Sequence, residues 1–131
     1  PFAVDKDGIL AGCLAAELVA TAREPLRCRL RALEKSLGAS ASGRTALPSD
    51  ARSRAALERL LAGPPERIGR LPVREAVRCD GLRLALDDGF LMLRASGTEP
   101  VVRVYAEAPD AAALGRRLRA GVRLLQRAAR R

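Results

Sequence analysis

Two apolar runs flank a short polar segment near residue 97, and this pattern limits the fold more than any other feature of the chain. The runs are Phe90–Leu93 and Val101–Ala106, and both have the composition and alternation of strands. The segment between them reads Arg94-Ala95-Ser96-Gly97-Thr98-Glu99-Pro100. The pattern therefore predicts two strands joined by a polar loop.

The residue types of this loop are suited to an anion. Gly97 can adopt a positive φ angle and lets the backbone approach a ligand, while Ser96 and Thr98 offer hydroxyl donors beside main-chain N–H groups. Arg94 and Arg103 flank the loop, and each guanidinium presents a planar fork that matches two phosphate oxygens. The loop therefore predicts a phosphate site, although an ordinary polar connection with solvated arginines has the same residue types.

The order Arg-x-Ser-Gly-Thr-Glu-Pro-x-x-Arg-x-Tyr, from Arg94 to Tyr105, resembles the phosphate-binding signature in the last domain of the α-D-phosphohexomutases, the phosphoglucomutase and phosphomannomutase family. Glu99 and Tyr105 are expected to support the site, and Glu99 to turn away from the anion and brace an arginine or a neighbouring domain. The resemblance implies that five residues bind the substrate phosphate: Arg94, Ser96, Gly97, Thr98 and Arg103.

The resemblance also implies an activity for the whole enzyme. The family's enzymes are isomerases that move a phosphoryl group between C1 and C6 of a hexose phosphate, through a phosphoserine, a bound Mg²⁺ and a bisphosphorylated sugar. The last domain clamps the phosphate that is not reacting. We find no Ser-His-Asn-type serine loop, Asp-Gly-Asp-Gly-Asp-type magnesium loop or Glu-x-Ser-Gly sugar loop in the 131 residues. We therefore expect no catalytic residue and no Mg²⁺ ligand here, and no turnover by this chain alone.

The remaining pattern predicts an α+β fold. Helices are expected over about 9–22, 26–37 and 49–62, with Ser49 as the N-cap of the third, and a last helix from Pro109. Strands are expected over about 73–77, 82–86, 90–95 and 101–108. The prediction is a four-stranded antiparallel sheet with two helices on one face and the loop at a sheet edge, preceded by a helical pair from an upstream domain.

The small-residue run Gly38–Gly43 is typical of a linker and sets the predicted domain limits. Residues 1–38 are expected to be the helical tail of the third mutase domain, residues 39–47 the linker, and residues 48–131 the C-terminal phosphate-binding domain. The Asp87-Asp88 pair is expected to be a turn rather than a metal site.

The net charge of +9 and the absence of histidine limit the other functions that the chain can have. Without histidine, His-based triads are excluded, and three scattered cysteines predict neither a disulfide framework nor a zinc site. No apolar run reaches the roughly 18 residues that a membrane span requires, so we expect a cytoplasmic protein without a membrane partner. The last helix carries five arginines that are expected on a solvated face: Arg116, Arg117, Arg119, Arg123 and Arg127.

The expected partners are a hexose phosphate and the upstream mutase domains. Two alternatives remain: a stand-alone module that binds phosphate or a phosphosugar, and a basic nucleic-acid-binding domain that uses the last helix. Because aromatic residues make up only 2% of the chain, stacking platforms for single strands are lacking and nucleic acid is the less favoured partner.

Overall fold

The computed structural model describes residues 7–22 and 24–130 and divides the chain into two compact units, Pro1–Ala39 and Ser40–Arg131. The predicted segments that include residues 1–6, 23 and 131 lie in part outside the described residues. The first unit contains the helices α1 (Gly8–Ala22) and α2 (Leu26–Leu37). The Asp7 carboxylate accepts hydrogen bonds from the N–H groups of Ile9 and Leu10, at 2.9 and 3.0 Å, and so caps α1.

Both helices expose their apolar side chains in the described part of the first unit. Neither contains a buried residue, and Leu30, Leu33 and Leu37 on one face of α2 are 56%, 54% and 77% exposed. Because neither helix buries a residue, the described part of this pair has no core of its own. Short helices gain most of their stability from packing, so the pair lacks that contribution.

The second unit is built on a five-stranded antiparallel sheet. From one edge to the other, its strands are formed by residues 41–48, 101–108, 89–95, 82–86 and 75–77, which gives the order β1-β7-β6-β5-β4. A separate two-stranded hairpin is formed by β2 (Arg67–Ile68) and β3 (Leu71–Pro72). The bounds of the sheet strands are Ala41–Pro48 for β1, Glu75–Val77 for β4, Leu82–Leu86 for β5, Gly89–Ala95 for β6 and Val101–Ala108 for β7.

The α+β class is confirmed, but the predicted count of four strands was wrong because residues 41–48 form the edge strand β1. The small residues that resemble a linker in the sequence are required where the last helix lies close to the sheet. A Cβ atom at Gly43 would lie 3.2 Å from Cδ2 of Leu114, closer than most real contacts. Since β1 pairs with β7, the polar loop joins two inner strands and does not lie at a sheet edge as predicted.

Two helices, α3 (Ala51–Ala62) and α4 (Ala111–Ala129), cover one face of the sheet and pack on each other. Asp50, rather than the predicted Ser49, caps α3, because its carboxylate accepts the Ser53 N–H at 2.7 Å. The alternation along β7 is confirmed, since Val102 and Val104 are fully buried under the helices. The other face of the sheet carries no helix of this unit.

Arg117 of α4 does not lie on a solvated face as predicted. Its side chain is 2% exposed and forms an ion pair with Asp88, in which Nη2 lies 2.6 Å from Oδ1. Nη1 donates to the main-chain oxygens of Glu107 and, at 3.3 Å, of Asp88. Arg117 therefore attaches α4 to the β5–β6 turn, and the other four arginines of the predicted basic face remain exposed.

Among the described residues, no helix has both the length and the apolar character that a membrane crossing requires.

Candidate phosphate-binding site

The antiparallel register places Arg94 of β6 directly opposite Arg103 of β7, at the base of the polar loop. Their neighbours Leu93, Val102 and Val104 point into the core and are fully buried, so both arginines belong to the face without helices. Like charges directly opposite each other destabilise a sheet, because their side chains are only about 5 Å apart at Cβ. The loop therefore begins at a pair of like charges, which is stable only with acidic or anionic partners nearby.

A carboxylate contacts each of these arginines. Glu99 Oε2 lies 2.5 Å from Arg103 Nη2, with the two side chains 58% and 26% exposed. Asp80, in the turn before β5, places Oδ2 2.8 Å from Arg94 Nε. The expected orientation of Glu99, toward an arginine, is present in the structure. The contact of Asp80 was not predicted, because Asp80 lies 14 residues before Arg94 in the chain.

Tyr105 lies on the same strand face as Arg103 and interacts with both guanidiniums. Contact with Arg103, and secondarily with Arg94, lowers the pKa of the Tyr105 phenol, although burial opposes this effect. The Asp80 contact, followed by the Tyr105 contact, raises the pKa of Arg94. The Tyr105 contact, followed by the Glu99 contact, raises the pKa of Arg103. Both guanidiniums therefore remain fully charged.

The loop itself is held by a small set of hydrogen bonds. Ser96 N–H donates to Val101 O at 2.9 Å, and the Ser96 hydroxyl oxygen accepts the Glu99 N–H at 3.3 Å. At the exit of the loop, Ser49 N–H donates to Pro100 O at 2.8 Å, which connects the end of β1 to the loop. Because Ser96 uses its oxygen as an acceptor, its hydroxyl proton is available to donate elsewhere.

Gly97 and Thr98 occupy the exposed tip of the loop. Gly97 is not among the glycines with positive φ, so the left-handed conformation that glycine permits is not used here. A Cβ atom at Gly97 would meet nothing within 4 Å. The fold therefore leaves the backbone at Gly97 open to solvent, and a ligand has room to approach it.

Arg44 of β1 is a candidate residue that sequence reasoning missed. It pairs with Tyr105 in the sheet and, with Glu99 and Arg103, lines a shallow concavity of about 340 Å³ beside the loop. The signal available in the sequence was the alternation of Arg44 with small residues. That signal was lost because the whole segment has the composition of a linker.

The acidic turn between β5 and β6 has structural partners. Arg74 binds Asp87 in a two-bond contact, with Nε to Oδ1 at 2.6 Å and Nη2 to Oδ2 at 2.8 Å, and Arg117 binds Asp88. Within the described ranges, no three Cys, Asp or Glu side chains cluster in a way that would hold a metal ion.

The fold of the second unit and its loop together define a class of domain. It is an α+β domain in which two helices cover one face of a five-stranded antiparallel sheet, and a polar loop with two cross-strand arginines joins the inner strands. Residues 26–124 match the family profile described as "Phosphoglucomutase/phosphomannomutase, C-terminal domain". The chain therefore belongs to the phosphoglucomutase/phosphomannomutase family, and the predicted family is confirmed.

Individual proteins of this family are similar over most of the chain. A phosphoglucomutase from Komagataeibacter xylinus is 30% identical over 86% of the chain and 22% of that protein. A probable phosphoglucosamine mutase from Methanosarcina acetivorans is 36% identical over 79% of the chain and 21% of that protein. The crystal structure of a phosphoglucomutase/phosphomannomutase family protein from Burkholderia thailandensis has a TM-score of 0.53 and 31% identity, covering 76% of this chain and 20% of that one. The chain thus spans about a fifth of the length of these relatives.

Proposed function

We propose that the second unit binds the phosphate group of a hexose phosphate at the loop between β6 and β7. Arg94 and Arg103 supply the positive charge, and Ser96, Gly97 and Thr98 supply hydroxyl and main-chain donors. In a full-length mutase, this site holds the phosphate that is not reacting while the other end of the sugar exchanges its phosphoryl group. The upstream mutase domains are the partners that complete the active site.

The observation that carries this proposal is the cross-strand pair of Arg94 and Arg103. A pair of like charges in direct register costs folding stability, and it is compensated by the carboxylates of Asp80 and Glu99, which are themselves 67% and 58% exposed and so contribute little. A bound phosphate dianion would lie between two planar forks and satisfy both, with charge-assisted hydrogen bonds of about 1.5–3 kcal/mol each where water is excluded.

The chemical contribution of such a site is positioning. In phosphoryl transfer the protein mainly holds the reacting groups in line and stabilises charge. A distal phosphate held by two arginines on a rigid sheet would fix one end of the sugar relative to the nucleophile. We propose no metal ligand among these residues, so the contribution of the site is confined to positioning.

Binding of glucose 6-phosphate to the 131-residue chain tests the proposal. The amide signals of Gly97 and Thr98 are followed by NMR during a titration at constant ionic strength. Arg94→Ala and Arg103→Ala should each weaken binding about tenfold or more, which corresponds to roughly 1.4 kcal/mol. Arg119→Ala, an exposed arginine of α4 on the other side of the sheet, is the charge-matched control and should change the affinity by less than about twofold.

Two results would contradict the proposal. Unchanged affinity in Arg94→Ala and Arg103→Ala would exclude the loop as the phosphate site. Tight, steeply salt-dependent binding of nucleic acid that depends on the exposed arginines of α4, and not on Arg94, would support the nucleic-acid alternative. The inward orientation of Arg117 removes one of the five arginines on which that alternative was based.

Turnover is a separate test. We expect the purified 131-residue chain not to convert glucose 1-phosphate to glucose 6-phosphate, since the proposed site positions a phosphate but supplies no phosphoserine. Sustained conversion, without any added mutase, would show that the chain has catalytic residues that we have not assigned.

A further inference from the structure

We propose that Asp80 is a positioning residue of this site, which holds the guanidinium of Arg94 in the orientation that binds phosphate. The inference rests on the proposed function and adds a second segment, the turn between β4 and β5, to the loop that the sequence indicates. Asp80 acts through Arg94 and does not itself contact the anion, since a carboxylate repels phosphate.

The contact between the two side chains has an unusual form. Asp80 Oδ2 lies 2.8 Å from Arg94 Nε, yet the buried Nε–H is not aligned for a regular hydrogen bond with any acceptor in the described part of the chain. The contact is therefore an ion pair at the Nε edge. In the Arg74–Asp87 pair, by comparison, two aligned hydrogen bonds use both Nε and Nη2. The Asp80 contact uses only the Nε edge of Arg94, so it leaves the Nη groups of Arg94 free of Asp80 and able to donate to a ligand.

The backbone fixes where Asp80 can lie. Gly81 has φ of 100°, and a Cβ atom there would lie 2.3 Å from Leu93 O and 3.0 Å from Arg94 Cα. Only glycine tolerates both this conformation and this approach. The turn thus lies directly against the backbone of Arg94, so the distance from Asp80 to Arg94 is set by packing and not by the chance meeting of two long side chains.

Asp80 could either orient Arg94 for phosphate or compete with phosphate for Arg94, and its exposure bears on which effect is larger. Its side chain is 67% exposed, so water screens its repulsion of a bound anion more than it screens the direct contact with Arg94 Nε, which is buried and lies 2.8 Å away. The arginine side chain, by contrast, loses much rotamer freedom when it binds a ligand, and a partner that already orders it lowers that cost. We therefore expect removal of the Asp80 charge to weaken phosphate binding.

The test is a titration of the 131-residue chain with inorganic phosphate, at constant pH and ionic strength, followed by the amide signals of the loop. Asp80→Asn should weaken binding about three- to tenfold, the range expected when one side chain must be ordered on binding. Asp87→Asn removes the same charge from another Arg-paired turn on the same sheet, and it should change the affinity by less than about twofold. Equal or tighter binding by Asp80→Asn would overturn the inference.

A double-mutant cycle separates positioning from a general loss of structure. In an Arg94→Lys background, where the planar fork is absent but the charge remains, Asp80→Asn should have no further effect beyond about twofold. An equal loss in both backgrounds would mean that Asp80 does not act through Arg94. If Arg94→Ala leaves phosphate binding unchanged, the proposed function itself fails, whereas a loss in Arg94→Ala without a loss in Asp80→Asn refutes only this inference.

Discussion

Replacement of Arg117 by methionine should lower the free energy of unfolding of the second unit by about 2–4 kcal/mol. The guanidinium is buried and donates to the Asp88 carboxylate and to the main-chain oxygens of Asp88 and Glu107. Each charge-assisted bond contributes about 1.5–3 kcal/mol, and breaking a buried pair costs about 3–5 kcal/mol. The lower range applies here because Asp88 is 34% exposed, and because Arg117 Nε is buried without a hydrogen-bond partner among the described residues, which already costs stability in the parent chain.

Urea unfolding measures this difference, with far-ultraviolet circular dichroism as the signal because the chain has no tryptophan and one tyrosine. Methionine retains the unbranched stem and fills much of the same space, so the measured loss reports the polar contacts more than a cavity. Arg119→Met, on the exposed side of the same helix, is the matched control and should change the stability by less than about 0.5 kcal/mol. If both variants unfold at the same urea concentration, Arg117 does not attach α4 to the β5–β6 turn as the structure indicates.

Three other contacts of the second unit can each be tested by one substitution. Gly121→Leu should lower the free energy of unfolding by about 1–3 kcal/mol, because even a Cβ atom there would lie 2.6 Å from a side chain of β7. The urea midpoint should fall accordingly, and an unchanged midpoint would contradict this close approach. Tyr105, the only tyrosine, should ionise below its ordinary pKa of 10.0 in an absorbance titration, and Arg103→Gln should raise its pKa; the same midpoint in both proteins would argue against the contact. Contact with Arg74 lowers the pKa of Asp87 below its unfolded value of 3.8. The stability that this contact contributes is therefore present above pH 3.8 and is lost as the pH falls through the folded pKa. Asp87→Asn should make acid unfolding measurably less steep.

The sequence predicted those elements in which apolar residues recur on one face. The helices and the strands near 82–86, 89–95 and 101–108 were predicted because a single helix face or sheet face is apolar. The strand β1 was missed because it begins with small residues, which composition cannot distinguish from a linker, although α4 lies close to one of them, Gly43. Asp80 and Arg117 were missed for another reason, since their roles depend on partners that the fold brings together from distant positions.

The candidate site combines two kinds of constraint. The backbone at Arg94 and Arg103 is fixed by the core, because Leu93, Val102 and Val104 beside them are fully buried. The guanidiniums are ordered separately, by the polar partners Asp80, Glu99 and Tyr105 on the open face. A site of this construction keeps its spacing when a polar partner is lost and loses only the orientation of one side chain. Substitution of the polar partners should therefore reduce phosphate affinity without unfolding the sheet, whereas substitution of the core residues should affect both.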